Sequence, residues 1–214
     1  MSLTISMDTH PWLEIGVFVT RFAVGLARTE TPPAIAALVA PGAGAPLTGS
    51  DQIRNEVRQL LRSSGFKPAG RSKPASEYLV AAATEGRFPR INAAVDACNV
   101  ISLHSGLPIS LIDLDKLVPP LRVVVAPAGT NYVFNPSGQV IDASGLLCLV
   151  DAEGPSGTPV KDAQRTKTHD DTRATLSIVW GTQALPGRTR QTTSWYRDLV
   201  AAIDGAVVED VQVE

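Results

Sequence analysis

The division of the chain into a helical part and a β part constrains the fold most. From about residue 50 to residue 105, apolar side chains recur at helical spacing. Beyond Pro108 they gather in short β-forming runs separated by Pro and Gly. Helices and strands segregated in this way point to an α+β architecture, not to alternating βαβ units around a parallel sheet. A chain of 214 residues can bury a sizeable core as one domain. We therefore expect a single domain over 1–214, with its core at about 50–185. Residues 1–49 form an N-terminal strand and loop, and 186–214 a closing helix.

Local signals place the elements. Residues 13–27 read as one or two strands, and Thr31-Pro32-Pro33 and 41–49 as loops. Ser50 or Asp51 can cap a helix running to about Ser64, with Ile53, Val57, Leu60 and Leu61 on one face and Gly65 at its end. A second helix runs from about Pro74 to Thr84 and stops at Gly86. A third opens at Asn92 and stops at Gly106-Leu107-Pro108. The β-like runs follow at 121–128, 131–135, 139–143, 145–152 and 175–181. The stretch 194–210 has a helical period through Trp195, Leu199, Ala202 and Ile203. Aromatic residues make only 5% of the chain, so Ala, Val, Leu and Ile must build the core.

Net charge is −2, which argues against a general nucleic-acid coat but leaves room for a local basic patch. Basic residues do cluster: Arg62, Lys67, Arg71 and Lys73; Arg87 and Arg90; Arg165 and Lys167; Arg188, Arg190 and Arg197. Cys98 and Cys148 lie among apolar neighbours and read as buried, reduced thiols. Three His and two Cys show no ligand spacing, so no metal and no cofactor are expected. There is no phosphate-binding glycine loop, no GxSxG elbow and no HExxH. No signal peptide is evident, and the apolar run at 13–26 is broken by Glu14 and Arg21, so a cytoplasmic address is expected.

The third helix carries the feature that asks for a function. At 100° per residue, Asn92, Asp96 and Asn99 share one face, which Leu103 continues, while Ala and Val cover most of the rest. Buried amides and carboxylates must be hydrogen-bonded. Two readings are open. Either Asn92 caps the helix, Asp96 binds an Arg or a backbone amide and Asn99 ties down a loop, or the stripe faces a cavity and holds a ligand. His104, in the last turn, suits a structural role at the helix C-terminus. The polar segment 164–172 interleaves hydroxyls with Arg and Lys and could hold a phosphate or carboxylate as readily as form a solvated turn.

The stretch from Arg90 to Leu117 resembles the tRNA-editing domain of the phenylalanyl-tRNA synthetase β subunit, its B-three/B-four domain. Asn92, Val95, Asp96, Asn99, Gly106, Pro108, Asp113, Asp115 and Lys116 carry the likeness. The resemblance implies an α+β fold with a mixed, β-sandwich-like core flanked by helices. It also implies hydrolysis of tRNA charged with the wrong amino acid, by a free-standing relative with no synthetase activity of its own. Asn99 matches a pocket asparagine. Cys98 stands where the synthetase usually has Thr, and Ser110 where it has a His bordering the pocket. Ile178 or a neighbour aligns with the Glu that recognises a tyrosine hydroxyl, so no acid is expected there.

The resemblance thus implies a substrate pocket of Asn99, Asp96, Asn92, Ser110, Cys98, Thr166, Lys167 and Thr168, with Arg87, Arg90 and Arg165 on the tRNA. The expected function is a tRNA-binding, trans-editing protein whose enzymatic step is hydrolysis of an aminoacyl-tRNA ester. The alternative is a module that binds an amino-acid-like small molecule without RNA activity. Neither involves a membrane.

Overall fold

The computed structural model describes residues 3–40 and 43–214. Of the loop expected at 41–49, residues 41 and 42 lie outside the described residues, and 43–49 form neither helix nor strand. Five α-helices are present among the described residues: α1 (Pro33–Ala36), α2 (Asp51–Ser63), α3 (Ala75–Thr84), α4 (Ala93–Ser105) and α5 (Arg188–Ala201). The strands are β1 (Leu3–Met7), β2 (Leu13–Phe22), β3 (Ile109–Asp113), β4 (Leu121–Val125), β5 (Asn131–Val133), β6 (Val140–Asp142), β7 (Leu147–Asp151), β8 (Gly154–Gly157), β9 (Ala174–Thr182) and β10 (Ala206–Val213).

Capping chemistry sets the helix ends. Ser50 accepts the Ile53 amide and starts α2, and Asn92 accepts the Val95 amide and starts α4. Gly106 ends α4 in the left-handed region, at φ 73°, where a side chain would be strained.

Eight strands form one mixed sheet in the order β3-β9-β2-β10-β1-β4-β7-β8, and β5 pairs with β6 as a separate hairpin. β1 runs parallel to both of its neighbours, and every other pair in the sheet is antiparallel. The sheet curls until its two edges approach. A Cβ added to Gly157 of β8 would sit 2.5 Å from Ile112 Cδ1 and 3.2 Å from Ser110 Cβ, both on β3. Residues 158–167 run along the gap, and Lys167 bridges to Ile112.

This is a nearly closed barrel, not the sandwich that the resemblance implied. The reason lies in β1 and β10, which insert between β2 and β4 and weld two expected layers into one hydrogen-bonded surface. The expected closing helix at 186–214 is also corrected. α5 ends at Ala201, Gly205 turns the chain at φ 69°, and the alternating segment 206–213 becomes β10. The helical period of 194–203 is real; it does not extend past the turn.

The core has two parts. Ile5, Val19, Val123, Leu149, Leu176, Ile178 and Trp180 pack with residues of β4 and β7 on one face of the sheet. Phe18 and Val179 point the other way, against Ala97 and Ile101 of α4 and Tyr196 and Val200 of α5. β9 is buried at all of its positions because it lies between these two parts.

Candidate functional site

The polar stripe of α4 divides. Asn92 spends its side-chain oxygen on the helix cap, accepting Val95 N–H at 3.0 Å. Asp96 is buried and accepts from Arg90 Nε at 2.9 Å, Ile91 N at 2.9 Å and Thr31 Oγ1 at 3.0 Å. These two residues therefore close the helix N-terminus onto the chain before it, and Arg90 is committed to Asp96. Asn99 differs. It is half-buried, and its amide has no hydrogen-bond partner among the described residues. His104 donates from Nε2 to the Leu38 carbonyl at 2.8 Å, a structural tie at the helix end. The far end of the motif is structural as well: Asp113 accepts Thr172 Oγ1 at 2.7 Å, and Lys116 Nζ reaches the Lys167 carbonyl at 2.8 Å.

The chemistry gathers instead at the seam between β3 and β8. Asp162, in the segment that fills the gap, accepts Leu111 N–H at 3.2 Å on one oxygen and Thr158 N–H at 3.1 Å on the other. Ser110 lies beside it. Its oxygen accepts Trp180 Nε1–H at 2.9 Å, and its single proton serves the Thr158 carbonyl at 3.2 Å or the Asp162 carboxylate. Burial pushes the Asp162 carboxyl up to about 6, against the hydrogen bonds from Ser110, Thr158 and Leu111 and the charge of Lys167. Asp162 nevertheless keeps some contact with solvent. Burial in turn lowers the Lys167 ammonium, with Lys161 acting in the same direction and Asp162 opposing.

Cys98 and Cys148 are free, buried thiols, as expected. Burial pushes both up to about 12, and the Asp162 charge adds to it, so neither is a thiolate nucleophile. Among the described residues no cluster of His, Cys, Asp and Glu could hold a metal ion.

The remaining expected site residues are spread out. Thr166 is buried and donates to the Ser156 carbonyl at 3.0 Å. Arg165 clamps Asp151 through two bonds of 3.0 and 2.5 Å and reaches the Gly154 carbonyl at 2.8 Å, so it locks β7 to β8. Arg87 is exposed and paired with Glu85. Thr168 is half-buried, and its hydroxyl has no hydrogen bond among the described residues. The structure thus brings Ser110 and Lys167 to Asp162, seats Cys98 in the helix-side core beside Tyr196, and leaves Asn92, Asp96, Thr166 and Arg165 with structural duties.

Sequence reading missed Asp162 and Thr158. The available signal is an acid between Lys161 and Lys167, just at the start of the polar segment whose hydroxyls are interleaved from Gln164 onward. Ile178, aligned with the expected acid position, is fully buried and apolar and lies opposite Ser110 in the register of β3 and β9. An apolar cleft of about 380 Å³ opens elsewhere, between α2, α3 and the end of α4, and none of the expected site residues lines it.

A curled mixed sheet, helices on one face, and a half-sequestered acid where the sheet edges meet define a small α/β domain with one chemically distinctive seam. The chain belongs to the B3/4 domain family, whose model matches residues 67–190. That span holds α3, α4, β3 to β9 and the whole Asp162 cluster. The fold is similar to that of an N-terminal fragment of the phenylalanyl-tRNA synthetase β subunit from Pyrococcus horikoshii, with a TM-score of 0.50 and 13% identity. The likeness covers 99% of this chain and 51% of that one, so the chain spans about half the length of the fragment. No curated protein matches the chain. No helix among the described residues is long and apolar enough to cross a membrane.

Proposed function

We propose that this chain binds aminoacyl-tRNA in the cytoplasm and hydrolyses its ester, acting in trans on mischarged tRNA. The observation that carries the reading is Asp162. It is a carboxyl with a value of about 6, set inside the family-matched region beside Ser110 and within reach of the Lys167 charge. At pH 7 to 8 such a group is mostly ionised yet basic enough to take a proton from water. An activated ester needs little more than a positioned water and a stabilised oxyanion. In the proposed step Asp162 accepts one proton of a bound water, and the hydroxide adds to the ester carbonyl. The tetrahedral oxyanion faces the Lys167 ammonium. Its collapse breaks the bond to the ribose oxygen, which takes the proton back from Asp162 and leaves as the tRNA hydroxyl. The unpartnered Asn99 amide is the natural contact for the aminoacyl group, and Thr168 offers a free hydroxyl.

The test is deacylation of a panel of mischarged tRNAs by the wild type, Asp162→Asn and Asn99→Ala. Loss of about 10²-fold or more in rate for Asp162→Asn supports general-base action; no turnover and no tRNA binding by the wild type sinks the reading. We further propose that tyrosyl and phenylalanyl esters are not discriminated, because Ile178, at the position aligned with the hydroxyl-recognising acid, is apolar and fully buried. Strong tyrosyl selectivity would overturn that. The net charge of −2 favours a second reading, an amino-acid-like ligand without RNA. Binding through phosphates weakens steeply with salt, and such a ligand would respond little.

A further inference from the structure

The arginines that the sequence offered for RNA contact already have carboxylate partners: Arg87 with Glu85, Arg90 with Asp96, Arg165 with Asp151. Three cations without such partners, Arg71, Lys161 and Lys167, gather elsewhere, around the rings of Phe134 and Tyr78, and the charge of Lys167 acts on Asp162. Lys167 Nζ stands 4.0 Å from the centre of the Phe134 ring and Lys161 Nζ 4.5 Å from the same centre, so two ammonium groups share one aromatic ring. Lys161 Nζ is also 5.9 Å from the centre of Tyr78. The Tyr78 hydroxyl donates to the Gly70 carbonyl at 3.3 Å, which holds the turn carrying Arg71 against the same surface. Among the described residues, none of these three cations is ion-paired to a carboxylate.

We infer that Arg71, Lys161 and Lys167 form a phosphate cradle that takes the phosphodiester backbone of the single-stranded end of an RNA entering the Asp162 site. The inference rests on the proposed function and adds a binding subsite to it. Three features favour this over an ordinary solvated face. The two lysines are half-buried and seated on rings, and Lys167 Nζ also donates to the Phe134 carbonyl at 2.6 Å, so the ammonium groups are held in place where solvated ones would extend freely. Burial lowers both ammonium groups; repulsion by Arg71 adds to it at Lys161, and at Lys167 repulsion by Lys161 adds to it against the opposing Asp162 charge. A multiply charged anion would relieve that repulsion. Finally, Lys167 shares the Phe134 ring with Lys161 and its charge acts on Asp162, so a phosphate in the cradle lies near the terminal ribose whose ester the acid would attack. A strand fits better than a free phosphate because the cations line the approach to the seam and do not enclose a pocket of their own.

The experiment measures binding of uncharged tRNA to the full chain by fluorescence anisotropy over roughly 50–200 mM salt. Lys161→Met and Arg71→Met keep the side-chain stems. Each is expected to flatten the log–log salt slope by about 0.7, the value for one single-strand phosphate, and to weaken binding several-fold. Lys161→Arg is expected to retain the wild-type slope, and melting curves matching the wild type show that the variants fold. Wild-type slopes in both Met variants overturn the cradle. Competition by inorganic phosphate or a mononucleotide at concentrations as low as those of tRNA overturns the RNA strand as its occupant. The two readings fail separately: flattened slopes without ester hydrolysis leave the cradle standing, whereas hydrolysis that depends on Asp162 with unchanged slopes removes the cradle alone.

Discussion

Asp162→Asn separates what the acid costs the fold from what it does. The native carboxyl titrates at about 6 and an unfolded one near 3.8. Between those values the native state holds more protons than the unfolded state, so this group's contribution to stability falls as pH rises through the window. Moving a carboxyl that far corresponds to about 3 kcal/mol. Asp162 keeps some solvent contact, so about 1.5–3 kcal/mol is the expected range. The asparagine has no titration there. It does lose one acceptor, because the Leu111 and Thr158 amides bind separate oxygens and one of them must then face an NH₂ group. That cost, about 1–3 kcal/mol, is independent of pH and drops out of the comparison. The assay is urea unfolding of both proteins at about pH 4, 5, 6 and 7.5. Wild type should lose about 1.5–3 kcal/mol relative to the variant from the lowest pH to the highest. The other carboxylates titrate alike in both proteins. A difference that stays flat within about 0.5 kcal/mol would refute the assignment of a raised carboxyl to this position.

Other substitutions test the division of labour. Arg165→Ala leaves the fully buried Asp151 carboxylate without its clamp, so a loss of about 3–5 kcal/mol in chemical denaturation is expected; less than 1 would mean that Asp151 finds water. Asn92→Ala should cost about 1 kcal/mol by removing a cap, while Asn99→Ala should change stability by less than about 0.5 kcal/mol and still slow deacylation at least about tenfold. Melting curves and turnover read both, and equal stability losses would show that Asn99 is structural. Gly157→Val drives a Cβ toward Ile112 and Ser110, so about 1–3 kcal/mol of overpacking is expected, partly recovered by Ile112→Val. No recovery in the double variant would place the strain elsewhere.

What the sequence made legible was local. The caps and the stop at Gly106 each follow from a few adjacent residues: Asn92 and Gly106 stand as read, and of Ser50 and Asp51 it is Ser50 that caps. β10 was hidden because its short alternating pattern follows a genuine helix and its partners lie near the other end of the chain; Asp210 sits opposite Phe18. β1 is five residues long and carries no turn signal on its N-terminal side. Periodicity placed Asn92, Asp96 and Asn99 on one face. It could not say that Arg90, Ile91 and Thr31 would consume the carboxylate and leave the last amide free. Asp162 was the least legible, since its role depends on amides at residues 111 and 158 that only closure of the sheet brings together.

That closure explains why an acid stands there at all. A sheet that curls until its edges meet without pairing leaves edge amides pointing into a low-dielectric gap, where an unsatisfied N–H costs about 1–3 kcal/mol. Leu111 and Thr158 are two such amides, and a hydroxyl or an amide side chain has only one acceptor oxygen, whereas the two N–H groups here reach separate oxygens. A carboxylate satisfies both at once, and Ser110 and Lys167 add a proton and a charge. Closing the seam with a carboxylate also sets its chemistry, because the burial that makes it a good staple is what raises its affinity for a proton. The seam and the proposed reaction are therefore one device. A substitution that lets β3 and β8 separate should lower the Asp162 carboxyl toward the ordinary range and move the acidic limb of the deacylation pH profile with it, even though no group at the site has changed. Gly157→Val is the direct way to observe this: an unchanged acidic limb in a variant with a displaced seam would show that the acid's affinity for protons does not come from closure.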